Sequence, residues 1–545
     1  MNKVAHYLQE HLRGEVMTSS DVRKYFSTDG SVFKVTPGIV VYPRSENDVR
    51  KAARFSWQLA ERGKVVPITA RGKGTDQAGG ALGTGIMLVF PAHMNKILEL
   101  DGKTGVITAE PGIIYGKLQQ TLHTHNRFLP PFPSSIEYST IGGAIANNAG
   151  GEKTLKYGNT RDYIRGLRMV LANGEVIETR RLSKRELNKK LGLQTFEGEI
   201  YRAVDTLIEE NKNTIDKNVP SVTKNSAGYA LGHVKRKDGS FDLTPLIVGS
   251  QGTLGIVTEA TIETEFHNPH ETLIVAKFDD LQVAEQAVLE LRDLPEMPSA
   301  MEMVDENLLN FIHEHNPNQL KGIIDPPYHK MVMLIEFDNT GTRTQKRMTK
   351  KAKKILDKYQ VTYEVETDSE KQADLWKIRH GAASVISHTE GNSKALPIIE
   401  DGIVPVDKIH QYVTNIYDLF KKHNLRAALW GHAGNANLHM QPFLDLSQVG
   451  DRQKIFKIID EYYNMVIELG GSTSGEHSDG RLRAPYLEKM YGNEVYSLFQ
   501  KVKKAFDPYG ILNPGVKMDV KLTDVKPLLR QEYSMEHLYD HMPRT

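Results

Sequence analysis

The spacing of hydrophobic residues differs between the two halves of the chain. Up to about residue 267, short apolar runs typical of strands alternate with helical stretches and with segments rich in glycine. VVPITARG and GVITAEPG are predicted strands, and IIYGKLQQTLHTH is a predicted helix. IRGLRMV and EVIET form a predicted hairpin around Asn173-Gly174. The pattern favours an α+β fold over a repeating βαβ array.

One helix of the first half is predicted from the residues that would cap it. Ser45 and Asp48 are spaced like the two members of a capping box, and the positions after them continue at helical spacing to about Arg62. A capping box would provide partners for backbone N–H groups that the first helical turn leaves unpaired.

In the second half, from about residue 268, longer amphipathic helices separate the apolar runs. TLIVAKF, MVMLIEF and VTYEVET are predicted strands. Helices are predicted at about 281–293, 342–358, 407–423 and 451–469, and a last helix at about 494–506 precedes FDPYGILNPG. We predict an N-terminal helical segment at 1–34, a first domain at 35–267, a second at 268–518 of which 505–518 return to the first, and a tail at 519–545.

Length and composition limit the classes of protein to which the chain can belong. At 545 residues the chain is too long for one ordinary hydrophobic core, so two or three packed domains are expected. Its 69 lysines and arginines balance 68 aspartates and glutamates, and this balance disfavours nucleic-acid binding. Cysteine is absent, which excludes disulfides, thiolate zinc sites, cysteine-ligated iron–sulfur clusters and a flavin attached through sulfur.

The sequence also bears on where the protein is found. It contains neither a signal-peptide pattern nor the roughly 20 consecutive apolar residues of a spanning helix. We therefore expect a cytoplasmic protein, and peripheral attachment to a membrane through a partner protein stays open. The oligomeric state is open as well.

Three glycine-rich segments lie beside predicted strands of the first half. They occupy residues 70–83, 131–162 and 249–260. Glycine lets backbone N–H groups approach phosphate oxygens, and Arg71 and Thr75 add donors. The first segment matches neither the Walker pattern nor the dinucleotide fingerprint, so it indicates little by itself. Three such segments together predict one long ligand threaded between the loops.

Three histidines and a glutamate form the strongest candidate for chemistry. GHAGNANLH contains His432 and His439, and GEHSDGR contains Glu476 and His477. If a turn between the first two histidines leads into a strand, both can reach one point, whereas Glu476 and His477, as neighbours, must point in different directions. Two histidines and a carboxylate with an open position form a catalytic metal set. We assign Glu476 to this metal set and His477 to the substrate, although such a histidine pair alone is more often surface or hydrogen-bonded core.

Six motifs occur in the order found in a group of flavoproteins. They are the loop at 71–80, TIGGAIANNAGG with KYGNTRD, GSQGTLGIVTEATI, GHAGNANLH, GEHSDGR and AFDPYGILNPG. On these motifs the chain resembles, over about residues 15–518, the FAD-dependent D-2-hydroxyacid dehydrogenases of the vanillyl-alcohol oxidase superfamily, which act on D-lactate, glycolate or D-2-hydroxyglutarate. The resemblance implies an FAD-binding PCMH-type domain of two α+β subdomains, followed by an FAD-linked oxidase C-terminal domain. This second, α/β cap domain would contain a ferredoxin-like antiparallel sheet.

By this resemblance the first domain binds FAD, with the pyrophosphate on the loop from Arg71 to Gly80. The residues that match the family's cofactor contacts are Arg71, Gly72, Lys73, Gly74, Thr75, Gly79, Pro133, Ser134, Thr140, Gly142, Gly143, Asn148, Gly150, Gly158, Ile256 and Val257, with Asn513 facing the flavin ring from the closing loop. Many relatives attach FAD through a histidine near the pyrophosphate loop. Residues 67–87 contain none, so non-covalent FAD is expected.

The resemblance also gives the charged residues of the second half a role. His432, His439 and Glu476 would hold a divalent ion, either zinc, manganese or iron, that activates the hydroxyl of a 2-hydroxyacid. His477 would accept the hydroxyl proton while hydride passes from the α-carbon to FAD. Two cations would face the substrate, Arg379 at its carboxylate and Lys394 at a second position. The alternative for either cation is a surface salt bridge.

Three departures from the family pattern concern loop geometry. The chain has Asn435-Ala436 where the family has Asp-Gly, Ser478 where it has Gly, and Gln251 where it has Glu. Alanine and serine adopt a left-handed backbone poorly, so the loops are expected to differ there.

Three other functions stay open on sequence alone. A flavoenzyme like alkyl-dihydroxyacetonephosphate synthase, without net redox turnover, would carry a run of histidines in place of GEHSDGR. A flavin subunit of an electron-transfer complex would take its iron–sulfur cluster from a partner, because this chain has no cysteine. A metal hydrolase would use the same histidines and glutamate but would not need the glycine segments.

Overall fold

The computed structural model describes residues 2–387 and 392–534, and its strands fall into two groups along the chain. The first group consists of β1 (Glu15–Met17), β2 (Ile39–Tyr42), β3 (Ile68–Arg71), β4 (Ile86–Val89), β5 (Ile97–Asp101), β6 (Val106–Ala109), β7 (Arg127–Phe128), β8 (Ile164–Val170), β9 (Val176–Arg180), β10 (Ile256–Glu263) and β11 (Glu265–Phe266). The second group consists of β12 (Thr272–Phe278), β13 (Ala300–Asp305), β14 (Met331–Phe337), β15 (Thr362–Glu366), β16 (Ser393–Ala395), β17 (Ala427–His432) and β18 (Asn437–Asp445).

Helices connect and cover these strands. They are α1 (Asn2–His11), α2 (Ser20–Tyr25), α3 (Glu46–Glu61), α4 (Tyr115–His123), α5 (Ile141–Asn147), α6 (Thr154–Tyr157), α7 (Thr160–Tyr163), α8 (Lys184–Leu191), α9 (Phe196–Lys217), α10 (Thr244–Ile247), α11 (Leu281–Arg292), α12 (Glu306–His315), α13 (Thr342–Lys358), α14 (Ser369–Ser387), α15 (Ile409–His423), α16 (Val449–Glu468), α17 (Leu487–Phe506) and α18 (Leu522–Val525). Within the part of the chain that the structure describes, no helix has the length and apolar character needed to cross a membrane.

The first group of strands builds two main sheets. A four-stranded sheet has the order β1-β2-β4-β3, with β2 and β3 parallel to β4. A five-stranded antiparallel sheet has the order β5-β6-β10-β8-β9. Strands β8 and β9 form the hairpin predicted around Asn173-Gly174. Strands β7 and β11 form a separate short pair, and the α+β prediction is confirmed.

The second group forms one antiparallel sheet of seven strands in the order β15-β12-β14-β13-β17-β18-β16. Helices α11, α13, α15 and α16 share a hydrophobic core with one face of this sheet, whereas α12 and α14 pack on the other face. Both faces are therefore covered, and this explains why TLIVAKF and MVMLIEF are continuous apolar runs rather than alternating ones.

Alternation along the strands places charged residues on the face that carries α12 and α14. In β13, Met301 and Met303 point into the core under α11, so Glu302 between them points towards α14. His432, the last residue of β17, lies opposite Glu302, and His439 in β18 lies opposite Trp430. A 3-10 helix at Ala433–Asn435 joins the two histidine-bearing strands, which is the predicted turn followed by a strand.

The segment after α17 lies against the first group of strands. Ile68 at the start of β3 donates its N–H to Ile511 and accepts the N–H of Asn513. Helix α17 contains a non-helical break at Gly492 (φ 76°), and its part after this break corresponds to the helix predicted at about 494–506. Residues 535–545 of the predicted tail lie outside the described residues.

The predicted capping box of α3 is wrong. Ser45 is the N-cap residue, but its side chain makes no capping hydrogen bond. The carboxylate of Asp48 is buried and accepts the backbone N–H groups of Arg13 (2.9 Å), Gly14 (3.1 Å) and Arg44 (2.9 Å). Asp48 therefore joins the chain before β1 to the start of α3.

This contact predicts unequal effects for two substitutions in one turn of helix. Asp48→Ala leaves three backbone N–H groups without their anionic acceptor and should lower the free energy of unfolding by about 2–4 kcal/mol. Ser45→Ala removes no hydrogen bond and should cost less than about 0.5 kcal/mol. Urea denaturation followed by circular dichroism measures both. Equal losses for the two variants would contradict the assignment.

Candidate functional site

A cavity of about 800 Å³ lies between the glycine-rich segments and the histidine cluster. Its volume is in the upper part of the range of about 300–1,000 Å³ typical of small-molecule sites. Parts of all three glycine-rich segments line it, and so do Arg379, His432, His439, Glu476 and His477. The segments that were predicted to hold one long ligand thus face the predicted catalytic residues across a single space.

Most of the predicted cofactor residues line this cavity. They are Arg71, Gly72, Lys73, Gly74, Thr75, Pro133, Ser134, Thr140, Gly142, Gly143, Ile256 and Val257. A side chain at Gly72 would clash with Thr140, and one at Gly74, which has a φ of 78°, would clash with Arg71. The glycine at 72 thus allows the two loops to approach each other, and the glycine at 74 leaves room for the Arg71 guanidinium within the first loop. This cradle of backbone is compatible with the phosphates of a dinucleotide.

Six predicted positions are not among the described residues that line the cavity: Gly79, Asn148, Gly150, Gly158, Asn513 and Lys394. Asn148 and Gly158 have left-handed backbones that shape the loops around α5 to α7. The side-chain amide of Asn513 donates to the carbonyl groups of Gly80 (2.8 Å) and Gln251 (2.7 Å). Asn513 thus connects two of the segments that line the cavity without lining it itself.

Lys394 is separated from the cavity by strand alternation. It lies in β16, opposite Leu444 of β18, and its neighbour Ala395 lines the cavity. Successive side chains of a strand point to opposite faces, so Ala395 and Lys394 face different sides. A direct role for Lys394 towards a ligand remains a prediction.

The histidine cluster is centred on one oxygen of Glu476. The Nε2 atoms of His432, His439 and His477 lie 2.9, 3.2 and 3.7 Å from Glu476 Oε1. The rings of His439 and His477 are stacked, with centroids 5.2 Å apart, and the ring of His432 is perpendicular to that of His439. The expectation that Glu476 and His477 point in different directions is wrong, because this segment bends inward instead of forming a strand.

Asp401, which the motif analysis missed, produces this bend. Its buried carboxylate accepts the backbone N–H groups of Glu476 (3.1 Å) and His477 (2.8 Å) and the hydroxyl of Ser474 (2.6 Å). Asp401, His439, Glu476 and His477 each offer one ligand atom, and these atoms lie within 4.8 Å of one another. The available signal was the acidic pair Glu400-Asp401 within the apolar run LPIIEDGIVP.

Glu400 contacts basic side chains on the far side of the cluster. It pairs with the fully buried Arg483 and lies 3.3 Å from Nδ1 of His439. Nδ1 of His477 is 2.7 Å from the same carboxylate, an ion-pair contact without hydrogen-bond geometry. Burial by itself would raise the pKa of Glu400, but the positive charges of His477 and Arg483 hold it well below its usual value.

The carboxylates have the opposite effect on His477. Burial alone would lower its pKa, whereas Glu400 and Asp401 raise the pKa of His477 to about 10. An imidazole with this pKa keeps its proton at neutral pH and is a poor base. A cation among the same carboxylates would act against them, because it repels the proton on the imidazolium.

Glu302 connects the predicted substrate arginine with the cluster. It is completely buried, accepts a hydrogen bond from Arg379 Nε at 2.7 Å, and accepts another from His432 Nδ1 at 2.6 Å. Burial opposes ionisation of this carboxyl, but His432 and Arg379 lower its pKa to about 2. The hydrogen bond to Glu302 keeps a proton on Nδ1 of His432. Nε2 of the same ring is then directed at Glu476.

Lys224 is a second residue that sequence reasoning missed. Its buried Nζ lies 2.6 Å from Glu476 Oε2, the oxygen that does not face the histidines. No motif marks this lysine, which precedes the cluster by more than 200 residues, and only the fold brings it there. Lys224 therefore orients the Glu476 carboxylate from behind.

The three departures from the family pattern all have left-handed backbones. Ala436, Ser478 and Gln251 have φ values of 54°, 63° and 52°. The expectation that the backbone differs from that of a glycine there is therefore not met at Ala436 and Ser478. Hydrogen bonds compensate at Ser478: its hydroxyl lies 3.1 Å from the carbonyl oxygens of Ser226 and Gly249, to either of which it can donate, and it accepts from Lys517 Nζ at 2.9 Å.

Comparison with known proteins places this site in a family. A family model described as FAD linked oxidases, C-terminal domain, matches residues 267–516, and one described as FAD binding domain matches residues 37–180. The glycolate oxidase subunit GlcD of Bacillus subtilis is 32% identical over 485 residues, which cover 89% of this chain and 89% of that protein. The D-lactate dehydrogenase of Anaerostipes hadrus is 26% identical, with 92% of this chain and 94% of that protein covered.

A longer relative and a solved structure complete the comparison. The D-2-hydroxyglutarate dehydrogenase of Escherichia coli is 31% identical over 93% of this chain, but the chain spans only 50% of the length of that protein. The solved structure of p-cresol methylhydroxylase has a TM-score of 0.68 at 14% identity, covering 96% of this chain and 97% of that one, and therefore shows the fold alone. The predicted fold class is confirmed, and the chain belongs to the family of FAD-linked oxidases.

Proposed function

We propose that the protein is an FAD-dependent dehydrogenase that oxidises a D-2-hydroxyacid of the lactate, glycolate or 2-hydroxyglutarate class to the 2-oxoacid. One observation carries this proposal: a single cavity is lined both by the glycine-rich segments and by Arg379 with the histidine cluster. The names of the relatives support the substrate class. FAD, bound without a covalent link, would supply the acceptor for the hydride that leaves the α-carbon.

Arg379 is proposed to bind the substrate carboxylate. It lines the cavity, and its Nε is committed to Glu302. The two terminal nitrogens of the guanidinium would then serve as the donors to the substrate, and their fork geometry suits a carboxylate. Glu302 holds the arginine in place, so that binding costs little side-chain entropy.

His432, His439 and Glu476 are proposed to hold a divalent cation. Such a cation, as a Lewis acid, would lower the pKa of the substrate hydroxyl. Asp401 lies close enough to be a ligand, but its oxygens already accept hydrogen bonds from Ser474, Asn437 and the backbone of Glu476 and His477. Its lone pairs are largely used, whereas His432 and His439 direct Nε2 towards the cluster centre.

His477 is proposed to accept the hydroxyl proton. Its side chain is 26% exposed, compared with 5% for His432 and 9% for His439, so it is the histidine that a substrate reaches first. Its Nε2 is also the one farthest from Glu476 Oε1. Both observations separate His477 from the two proposed ligands.

The protein is further proposed to act with an electron-accepting partner. The relative from Bacillus subtilis is named as a subunit of glycolate oxidase. Because this chain has no cysteine, an iron–sulfur cluster in such an assembly would belong to the partner. Of the functions that sequence left open, a metal hydrolase is disfavoured by the match to an FAD binding domain.

Reduction of the flavin by a substrate tests the reaction itself. Purified protein should carry flavin, and its visible absorbance should bleach when D-lactate, glycolate or D-2-hydroxyglutarate is added without oxygen. His477→Ala should slow bleaching by about 10²–10⁴-fold, the usual effect of removing an acid–base group, while the protein stays yellow. His423→Ala, whose histidine contacts Glu461 on another helix, should bleach normally. A colourless wild-type protein would overturn the proposed function.

Metal analysis and chelation test the proposed cation. Elemental analysis of the purified protein should find about one divalent ion per chain, and a chelator should slow flavin reduction without releasing FAD. His439→Ala should reproduce the effect of the chelator. Full reduction rates in protein shown to be free of metal would remove the cation from the mechanism and leave the flavin assignment intact.

Substitution of Glu302 tests its role as a positioning residue. Glu302→Gln weakens the hold on both His432 and Arg379, so cation affinity should fall by about 10–100-fold and the KM for the hydroxyacid should rise. Glu364→Gln, an exposed change in the same sheet, is the matched control and should alter neither quantity. Cation titration and steady-state kinetics measure these effects. A variant with lower stability but wild-type cation affinity and KM would show that Glu302 is only structural.

A further inference from the structure

The C-terminal part of the described chain is paired with a segment near its beginning. Lys34 donates its N–H to the carbonyl of Leu528 (2.8 Å), Arg530 donates its N–H to that of Val32 (2.9 Å), and Phe33 and Leu529 form the bridge between them. Residues 528–530 thus add a short strand-like stretch to residues 32–34. The tail, which the sequence left without a role, is anchored to the N-terminal segment.

Arg530 strengthens this anchor. Its side chain is 4% exposed, its Nε donates to the carbonyl of Phe33 at 3.0 Å, and a terminal nitrogen donates to the carbonyl of Asp29. Its guanidinium also lies 5.2 Å from the ring centre of Tyr533. A buried arginine that bonds two backbone carbonyl groups holds the segment in one position, so Tyr533 has a defined place.

Tyr533 lines the cavity that the glycine-rich segments and the histidine cluster enclose. Its hydroxyl donates to the carbonyl of Gly30 at 2.8 Å, and the N–H of Gly30 donates to the carbonyl of Gly74 at 2.9 Å. A side chain at Gly30 would come within 2.9 Å of the carbonyl oxygens of Thr75 and Asp76. The phenol is therefore joined, through one glycine, to the first glycine-rich segment.

The same phenol lines the cavity together with His439 and His477 of the histidine cluster. Burial raises the pKa of Tyr533 most, and the carboxylates of Asp29 and Glu400 raise it further, against the effect of Arg530. Glu400 is the residue that contacts His439 and His477. Tyr533 thus occupies the junction between the loop proposed for the pyrophosphate and the groups proposed for the substrate.

We propose that Tyr533 is a contact residue of the bound FAD, supplied to the cavity by the C-terminal segment 526–534. The inference rests on the proposed function, because it takes FAD as the ligand of the cavity. An aromatic ring offers a large apolar contact and a polar hydroxyl at the same time, and this suits the ring system of a flavin. Arg530 acts as a positioning residue that keeps the phenol in the wall.

FAD binding to the full-length protein tests the proposal. FAD is removed from the holoprotein, and the protein is titrated with FAD while flavin fluorescence and the visible spectrum are recorded. Tyr533→Ala should raise the Kd for FAD by about tenfold, the loss expected for one aromatic contact and its buried area, and should shift the flavin spectrum. Tyr533→Phe keeps the ring and should retain most of the affinity.

Two further variants test whether Tyr533 contacts FAD or only holds the C-terminal segment in place. Arg530→Met should weaken FAD binding in the same direction as Tyr533→Ala, because the phenol loses its support. Glu532→Ala changes an exposed neighbour and should leave the Kd and the spectrum within about twofold of the wild type.

The outcomes that overturn the proposal are distinct. If Tyr533→Ala binds FAD with the wild-type Kd and spectrum, and only the thermal stability of the FAD-free protein falls, Tyr533 only holds the C-terminal segment in place and is not a cofactor contact. If the wild-type protein binds no FAD, the proposed function fails, and this inference fails with it.

Discussion

The arrangement of the whole site depends on two adjacent carboxylates, Glu400 and Asp401. An ionised carboxylate inside a protein costs several kcal/mol unless donors or cations compensate it. Here Asp401 is compensated by the backbone and hydroxyl donors of residues 474–477, and Glu400 by the buried Arg483. The donors of residues 474–477 reach Asp401 only because this segment bends inward. The hydrogen-bonding requirement of one buried carboxylate therefore determines where Glu476 and His477 point.

The same charges form the surroundings of the proposed cation. Glu302, Glu400, Asp401 and Glu476 lie around three imidazoles, and all four of these acids are buried. Arg379, Lys224 and Arg483 each pair with one of these acids from outside the centre. A buried ion pair contributes little net stability, but it fixes geometry because breaking it is costly. The surrounding cations therefore hold the acids in fixed orientations around the imidazoles.

The sequence predicted the local structure and the motifs well, and it failed where contacts join distant parts of the chain. Periodicity identified strands such as β12 and β14 and helices such as α11 and α13, because burial on a regular element leaves a repeating pattern. Glu302, Asp401 and Lys224 leave no such pattern, since each acts on a residue more than 70 positions away. The capping box failed because Asp48 has better partners before β1 than at its own helix end.

Backbone strain at the loops was predictable only in part. The residue types at Ala436 and Ser478 suggested a changed loop, yet both keep a positive φ. Surrounding contacts that exist only in the folded chain, such as those of the Ser478 hydroxyl, offset the local preference. At Ser478, tertiary hydrogen bonds thus outweigh the low preference of serine for a left-handed backbone.

The pairing of residues 32–34 with 528–530 has a consequence for how the protein is made. During translation the N-terminal segment is synthesised long before its partner, so any early folding of the first glycine-rich segment takes place without the phenol that lines its cavity. The nascent chain must therefore carry an open pocket until the last part of the described chain emerges. On this topology, the cavity is complete for a cofactor only after residues 528–534 have paired with the N-terminal segment.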